Sequence, residues 1–161
     1  MSESYDVAII GAGPGGYVAA IRCAQLGMNT VCIDEWKNIK GKASLGGTCL
    51  NVGCIPSKAL LESSENYYQA KYKFSHHGVM VDNVSADVPV MIARKDKIVN
   101  TFTAGIASLF KKNKVKSIHG KGTLLKRELS ADTWTINVSD NGATETVQAK
   151  HVILATGSNP R

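Results

Sequence analysis

Two cysteines five residues apart, Cys49 and Cys54, are the residues of this chain whose type and spacing best suit chemistry. In a regular helix their Cα atoms would lie about 8.6 Å apart, whereas a disulfide requires less than about 7 Å. A bridge between them therefore needs a distorted turn, which Gly53 and Pro56 permit. Because such a bridge closes a very short loop, it would add little stability. A disulfide at this position is expected to be redox-active rather than structural.

A metal site is the other interpretation of a cysteine pair. No further pair of Cys or His residues has the spacing typical of a zinc site, and His76 and His77 are adjacent and therefore poorly placed. The sequence thus predicts no metal. Cys23 falls on an apolar helix and Cys32 inside a strand, so both are expected to be buried, inert thiols.

A glycine-rich turn follows the first predicted strand and has the pattern G-x-G-x-x-G, formed by Gly11, Ala12, Gly13, Pro14, Gly15 and Gly16. One glycine allows the turn, one lets the backbone approach a pyrophosphate, and one lets the helix pack on the strand. Asp34 ends the second strand at about the spacing expected for a ribose-hydroxyl acceptor, with Glu35 as the rival. The turn predicts a dinucleotide cradle but does not separate FAD from NAD.

These residues lie within a predicted alternation of strands and helices. Strand, helix and strand within about thirty residues form a βαβ unit, which predicts a parallel sheet. A hairpin turn is predicted at 139–142. Predicted strands cover 5–10, 30–33, 115–118, 123–125, 134–138, 144–148 and 152–155, and predicted helices cover 17–26, 48–72 (interrupted by glycine and proline) and 88–110.

Composition narrows the class of protein. The chain has 161 residues, which suits one domain. The net charge of +6 raises the question of nucleic acid, but only 6% of residues are aromatic and the lysine clusters are not interleaved with them. We therefore predict no nucleic-acid partner. No apolar run is long enough for a membrane span, and no secretory signal precedes the first strand, so a cytoplasmic location is expected.

The stretch from Gly46 to Lys58, G-G-T-C-L-N-V-G-C-I-P-S-K, resembles the active-site motif of the pyridine nucleotide–disulfide oxidoreductases. The resemblance runs from Tyr5 to Pro160, and the loop from Glu35 to Leu45 is longer than in many members. It implies an α/β, three-layer, FAD-binding Rossmann-like domain over residues 1–161, with a parallel sheet and an antiparallel β-meander. The residues between the two cysteines, 50–53, resemble most the branch of this family that oxidises protein-bound dihydrolipoamide and passes the electrons through FAD to NAD.

The resemblance also implies roles for individual residues. Cys49 would be the thiol that meets the substrate, Cys54 the thiolate lying against the flavin, and Lys58 the cation near the flavin. Gly122 would contact the adenine end, with Gly120 as a close rival. Other FAD-binding residues would be Gly11, Gly13, Pro14, Gly15, Gly16, Asp34, Gly47, Thr48 and the turn Thr156, Gly157 and Ser158.

In this family the NAD-binding domain, the dimerisation domain and the catalytic His–Glu pair belong to later parts of the chain, so the fragment alone is expected to be inactive. The implied partners are a lipoyl carrier protein and, for the parent, a second copy of itself. Which multienzyme complex it serves is not predictable. The alternatives are a related disulfide or mercuric reductase, or a non-catalytic flavoprotein module.

Overall fold

The computed structural model describes residues 3–130 and 132–158; Pro160, where the family resemblance ends, lies outside them. Strands and helices alternate where the hydrophobic pattern predicts them. The strands are β1 (Glu3–Ile10), β2 (Thr30–Asp34), β3 (Lys116–His119), β4 (Lys121–Glu128), β5 (Thr133–Asp140) and β6 (Ala143–Leu154). The helices are α1 (Pro14–Gln25), α2 (Gly47–Asn51), α3 (Cys54–Tyr72) and α4 (Val88–Lys112), and a 3₁₀ turn covers Phe74–His77.

The six strands form one mixed sheet in the order β3-β2-β1-β6-β5-β4. Strands β3, β2, β1 and β6 run parallel to one another. Strands β5 and β4 continue the sheet in antiparallel pairing, so β4, β5 and β6 are the predicted β-meander. The carboxyl ends of β1 and β2 therefore lie side by side, where a doubly wound sheet places its ligands.

Alternate residues of the central strands are buried on opposite faces of the sheet. On one face Val7, Ile9 and Cys32 pack with residues of α1, α2 and α4. On the other face Ala8, Ile10 and Ile33 pack with β5 and β6. The sheet curls back over this second face, because a Cβ on Gly122 of β4 would lie 3.1 Å from Cγ2 of Ile10. Helices, parallel strands and curled meander make the three layers predicted.

Strand β6 corrects one prediction. The sequence predicts two strands, 144–148 and 152–155, because the polar Lys150 and His151 interrupt the apolar pattern. The structure has one strand, Ala143–Leu154. His151 keeps the backbone register with Val7 of β1, and Lys150 is exposed, with its Nζ 2.8 Å from Oδ1 of Asp6. The backbone of β6 therefore stays paired with β1 at positions whose side chains are exposed.

Helix boundaries differ from the prediction in two places. Helix α1 begins at Pro14 rather than Tyr17, because proline is favoured in the first helical turn, where its missing N–H has no acceptor to lose. The predicted helix over 48–72 is two helices that meet at Val52 and Gly53. Within the described part of the chain, no helix combines the length and hydropathy needed to cross a bilayer.

Candidate active site and dinucleotide cradle

The glycine cradle lies at the carboxyl end of β1, and its glycines divide into two kinds. A Cβ on Gly16 would lie 1.8 Å from the carbonyl oxygen of Gly11, and a Cβ on Gly11 would lie 2.1 Å from that of Ala155. These two positions hold the turn against the helix and β6. Gly13 and Gly15 face open space instead, with nothing within 4 Å of their Cβ positions. They leave a path for a phosphate to approach the backbone.

Helix α1 starts inside this turn, with Gly13 as its N-cap and Pro14 in its first turn. The first N–H groups of any helix have no acceptor within the helix, and the dipole makes this end positive. Both features favour a phosphate at the N-terminus. The predicted cradle therefore has the geometry that a pyrophosphate needs.

Asp34 is fixed beside the cradle. Its Oδ1 accepts the backbone N–H of Ala12 at 3.0 Å, whereas Glu35 is exposed. Burial raises the pKa of Asp34, while hydrogen bonds from the backbone N–H groups of Ala12 and Trp36 and the charge of His119 partly oppose that shift. A half-buried carboxylate already oriented by the cradle suits a pair of ribose hydroxyls, which would supply further hydrogen-bond donors.

The two cysteines lie on either side of the break between α2 and α3. Cys49 is in the middle of α2 and partly buried, and Cys54 is the exposed first residue of α3. Gly53 makes the turn tight, because a Cβ there would lie 3.2 Å from the Cα of Cys49. The thiols meet across this turn, so the distortion that a disulfide requires is present, although both thiols are free. The disulfide itself stays a prediction.

The contact between the two thiols shifts the pKa of Cys49. A hydrogen bond with the Cys54 thiol raises the pKa of Cys49, and burial and the charge of Cys54 raise it further. The backbone N–H of Cys54 and the charge of Lys58 act in the opposite direction, but the pKa of Cys49 stays above its ordinary value. Lys58 is exposed on the first turns of α3. The pKa of Cys49 is therefore raised chiefly by its contact with Cys54.

Helix α2, which carries Cys49 and is called the cysteine helix below, contacts the glycine cradle. The sequence did not predict these contacts. A Cβ on Gly47, at φ +59°, would lie 2.7 Å from the Cα of Gly13, and the N–H of Gly46 donates to the carbonyl of Ala12 at 2.9 Å. The Asn51 amide donates to the carbonyls of Leu45 and Gly47 at 3.1 and 2.9 Å. The predicted Gly47 and Thr48 thus start a helix that touches the phosphate cradle. No sequence signal reveals these tertiary contacts.

The two candidate adenine-contacting glycines occupy different environments. Gly120 is buried with φ +151°, and its N–H donates to the carbonyl of Asp34 at 3.0 Å. Gly122 lies inside β4 and faces the core side chains Ile10 and Ile33. Of the two, Gly120 is therefore the one in contact with Asp34.

A cavity of about 410 Å³ opens beside Asp34. Trp36 and residues 43–45 line one side of it, and residues of α4 and β3 line the other. Three of the residues that line the cavity, Trp36, His119 and Thr103, each have a buried polar atom with no hydrogen-bond partner, namely Nε1, Nε2 and Oγ1 respectively.

The turn Thr156, Gly157 and Ser158 follows β6 on the same edge of the sheet. The N–H of Ala155 donates to the carbonyl of Ile10 at 2.8 Å, and the Cβ position of Gly11 is 3.1 Å from the N of Thr156. The turn therefore forms a wall of the cradle.

The two cysteines outside the pair differ in burial. Cys23 is partly buried on α1, not buried as expected. Cys32 is buried, which raises the pKa of its thiol to about 12.

Comparisons with known proteins agree with this arrangement. The family model described as pyridine nucleotide-disulphide oxidoreductase matches residues 5–161. Dihydrolipoyl dehydrogenase 2, mitochondrial, of Arabidopsis thaliana is 52% identical over 98% of this chain and 29% of its own length. The dihydrolipoyl dehydrogenase of Cupriavidus necator is 50% identical over 100% of this chain and 33% of its own. A leghemoglobin reductase of Glycine max is 50% identical over 98% and 28%.

Among solved structures, a HOCl-induced flavoprotein disulfide reductase of Escherichia coli, determined as a Cu(II) complex, superposes with a TM-score of 0.73. It shares 21% identity, and the match covers 96% of this chain and 29% of that one. At that identity the match supports the fold alone. The chain spans about 29% of the Arabidopsis relative, and its matched family covers nearly all of its own residues. This chain belongs to the pyridine nucleotide-disulphide oxidoreductase family.

Proposed function

We propose that residues 1–161 are the FAD-binding domain of a dihydrolipoyl dehydrogenase. The contact between Gly13 of the cradle and Gly47 of the cysteine helix carries the proposal, because it places a dithiol beside a dinucleotide site. The names of the relatives at about 50% identity support the substrate. When bound, FAD would supply a two-electron acceptor for the dithiol.

The residues of the chain divide the binding between them. The N-terminus of α1, with Gly13 and Gly15 open, would receive the pyrophosphate, and Asp34 would accept the ribose hydroxyls. Gly120, rather than Gly122, is favoured at the adenine end by its contact with Asp34. The Thr156 turn and Gly47 would enclose the cofactor from the two sides on which they touch the cradle.

The cysteine pair would perform thiol–disulfide exchange. In the oxidised pair, one thiolate of dihydrolipoamide attacks the sulfur of Cys49, a mixed disulfide forms, and Cys54 leaves as the thiolate. The second substrate thiol then attacks the lipoyl sulfur of the mixed disulfide, which releases lipoamide and leaves Cys49 as a thiol. The raised pKa of Cys49 fits its release as a thiol in this second step. Lys58 would stabilise negative charge near the pair.

The remaining parts of the proposal concern the whole protein. NAD would accept the electrons at a separate domain, the parent would be a homodimer, and its partner would be a lipoyl carrier protein. The relatives are about three times as long as this chain, which leaves room for those domains. A cytoplasmic location stays a prediction from the sequence.

An assay of the full-length protein tests the proposal. Purified protein should be yellow and should oxidise dihydrolipoamide with NAD⁺ in preference to reducing glutathione disulfide or Hg²⁺ with NADPH. Preference for either of those substrates would assign it to a sister enzyme of the family. Bound FAD without turnover of any substrate would indicate a non-catalytic flavoprotein module.

A further inference from the structure

The segment between the ribose acid and the cysteine helix, residues 36–45 (the 36–45 loop), has its own internal structure. Lys37 and Ala43 form an isolated antiparallel bridge. The N–H of Asn38 donates to the carbonyl of Lys42 at 2.8 Å, and the side-chain oxygen of Asn38 accepts the N–H of Lys42 at 3.1 Å. The loop is therefore a small hairpin that keeps its shape rather than an extended connection.

The inner side of the 36–45 loop covers the cavity beside Asp34. Trp36, Ser44 and Leu45 line that cavity from the loop, and His119 lines it from the end of β3. The tip of the loop points away, since Ile39 is 95% exposed. The loop thus forms a roof over the space next to the ribose acid.

The C-terminal end of the loop is hydrogen-bonded to the cysteine helix. The hydroxyl of Ser44 donates to the side-chain oxygen of Asn51 in α2 at 2.7 Å. The N-terminal end of the loop is held by an ion pair next to the cavity, where Nζ of Lys37 lies 3.0 Å from Oδ1 of Asp140 at the end of β5. Asp140 is connected to the cavity through His119, which lines it and whose Nε2 lies 3.9 Å from that carboxylate oxygen. Within residues 3–130 and 132–158, the Lys37–Asp140 pair is the one ion pair that the loop makes.

We propose that the 36–45 loop is a strap over the adenosine half of the bound dinucleotide and that the Lys37–Asp140 ion pair is its latch. This inference rests on the proposed binding of FAD to the cradle. A nucleotide seated at Asp34 leaves the cavity only after the roof lifts, so the latch slows release. Lys37 and Asp140 act through the loop and are positioning residues, without contact to the reacting atoms.

The expected effect is small, because both side chains are about one-third exposed, at 36% and 37%. Ion pairs at such sites change an equilibrium or rate by about 1.4- to fivefold. Salt screens exposed charges, so the effect should shrink as ionic strength rises. Both properties distinguish a latch from a loss of packing, which salt would leave largely unchanged.

The experiment measures the rate at which FAD leaves the full-length protein. The rate is followed by the change in flavin fluorescence as an excess of a scavenging apoprotein captures the released FAD. Lys37→Gln and Asp140→Asn should each speed release by about 1.4- to fivefold at low salt. The double variant should release FAD no faster than either single variant, and the charge swap Lys37→Asp with Asp140→Lys should restore the slow rate. Lys40→Gln, on the exposed part of the same loop, is the matched control and should change nothing.

Unchanged release in both single variants, or additive effects in the double variant, would overturn the latch. Equal acceleration by Lys40→Gln would overturn it as well, because loop charge rather than the ion pair would then set the rate. A full-length protein that binds no FAD would overturn both the latch and the proposed function. Binding with an unaltered release rate would remove the latch alone.

Discussion

Gly13 and Gly47 are in backbone contact, and only glycine fits at the second position. The Cβ that any other residue would carry at Gly47 falls 2.7 Å from the Cα of Gly13, and the backbone there has φ +59°. Gly13 of the cradle and Gly47 of the cysteine helix are 34 residues apart in sequence, and the neighbouring hydrogen bond from Gly46 to Ala12 joins the same two features. A side chain at Gly47 must push apart the two features that a flavin dithiol enzyme has to hold together.

Gly47→Ala is therefore expected to weaken FAD binding at least about tenfold, because the clash is with backbone and cannot be relieved by a rotamer change. Gly78 is the matched control: it also has a left-handed φ, +75°, but nothing lies within 4 Å of its Cβ position. Gly78→Ala should cost only the conformational penalty of about 1–2 kcal/mol. FAD content after gel filtration and the thermal unfolding midpoint separate the two effects. Equal losses of FAD in both variants would contradict the contact.

The two cysteines should respond differently to replacement by serine. A thiolate lying against oxidised flavin gives a long-wavelength absorption band, and Cys54 is assigned that position. Cys49→Ser should abolish lipoamide turnover while the band can still form, and Cys54→Ser should abolish both. Cys23→Ser, on α1, should leave both unchanged. A band that survives only in Cys54→Ser would reverse the two roles.

Asp34 should make the folding stability of the apoprotein fall as pH rises. Burial raises the pKa of Asp34 above its unfolded value. The folded state therefore binds the proton more tightly, and the stabilisation it provides is full below the unfolded pKa and lost as pH rises through the folded pKa. Urea unfolding of the apoprotein should show this fall relative to Asp34→Asn, in which it is absent.

Asp6 supplies the opposite case on the same sheet. The hydrogen bond from Lys150 lowers the pKa of Asp6. Its contribution to stability is present above the unfolded pKa and is lost as pH falls through the folded pKa. The difference between wild type and Asp6→Asn should thus slope in the direction opposite to that for Asp34→Asn. Slopes of the same sign would contradict the assignment for Asp34.

Arg94 of α4 should stabilise the packing of α4 against the interior of α3. Its guanidinium donates to the carbonyl of Ala59 at 3.0 Å and to the hydroxyl of Ser63 at 3.4 Å, and it pairs with Glu62. Arg94→Met should lower the free energy of unfolding by about 1–2 kcal/mol, since more than one hydrogen bond is lost. Arg94→Lys should recover part of this, because one ammonium can replace only part of the set. Urea unfolding curves for the three proteins provide the measurement.

The fold was largely predictable because its signals are local. Continuous apolar runs, the glycine cradle and the turn at 139–142 each announce themselves within a few residues, and Asn141 and Gly142 do adopt positive φ. The division of β6 was predicted wrongly for the same reason. Lys150 and His151 break a local pattern, while the pairing that overrides it comes from β1, far away in sequence.

The sequence identifies candidate site residues but not the contacts that hold them together. Asp34, Cys49 and Cys54 stand out by type and spacing. The hydrogen bonds of Asn51 to Leu45 and Gly47, and the ion pair between Lys37 and Asp140, depend on how distant segments meet. Side-chain type alone gives Asn51 and Lys37 no special status, because polar loop residues of both kinds are common.

The central position of β6 sets an order of events during synthesis. Asp6 and Lys150 are 144 residues apart, and the strands that carry them are neighbours in the sheet. Contacts of such long sequence separation form late, because closing a long loop of chain comes before any gain from pairing. Ala155, which walls the Gly11 side of the cradle, directly follows β6, the last strand of the described residues to be synthesised. We therefore expect the cradle to be completed only after β6 has been synthesised and has paired with β1.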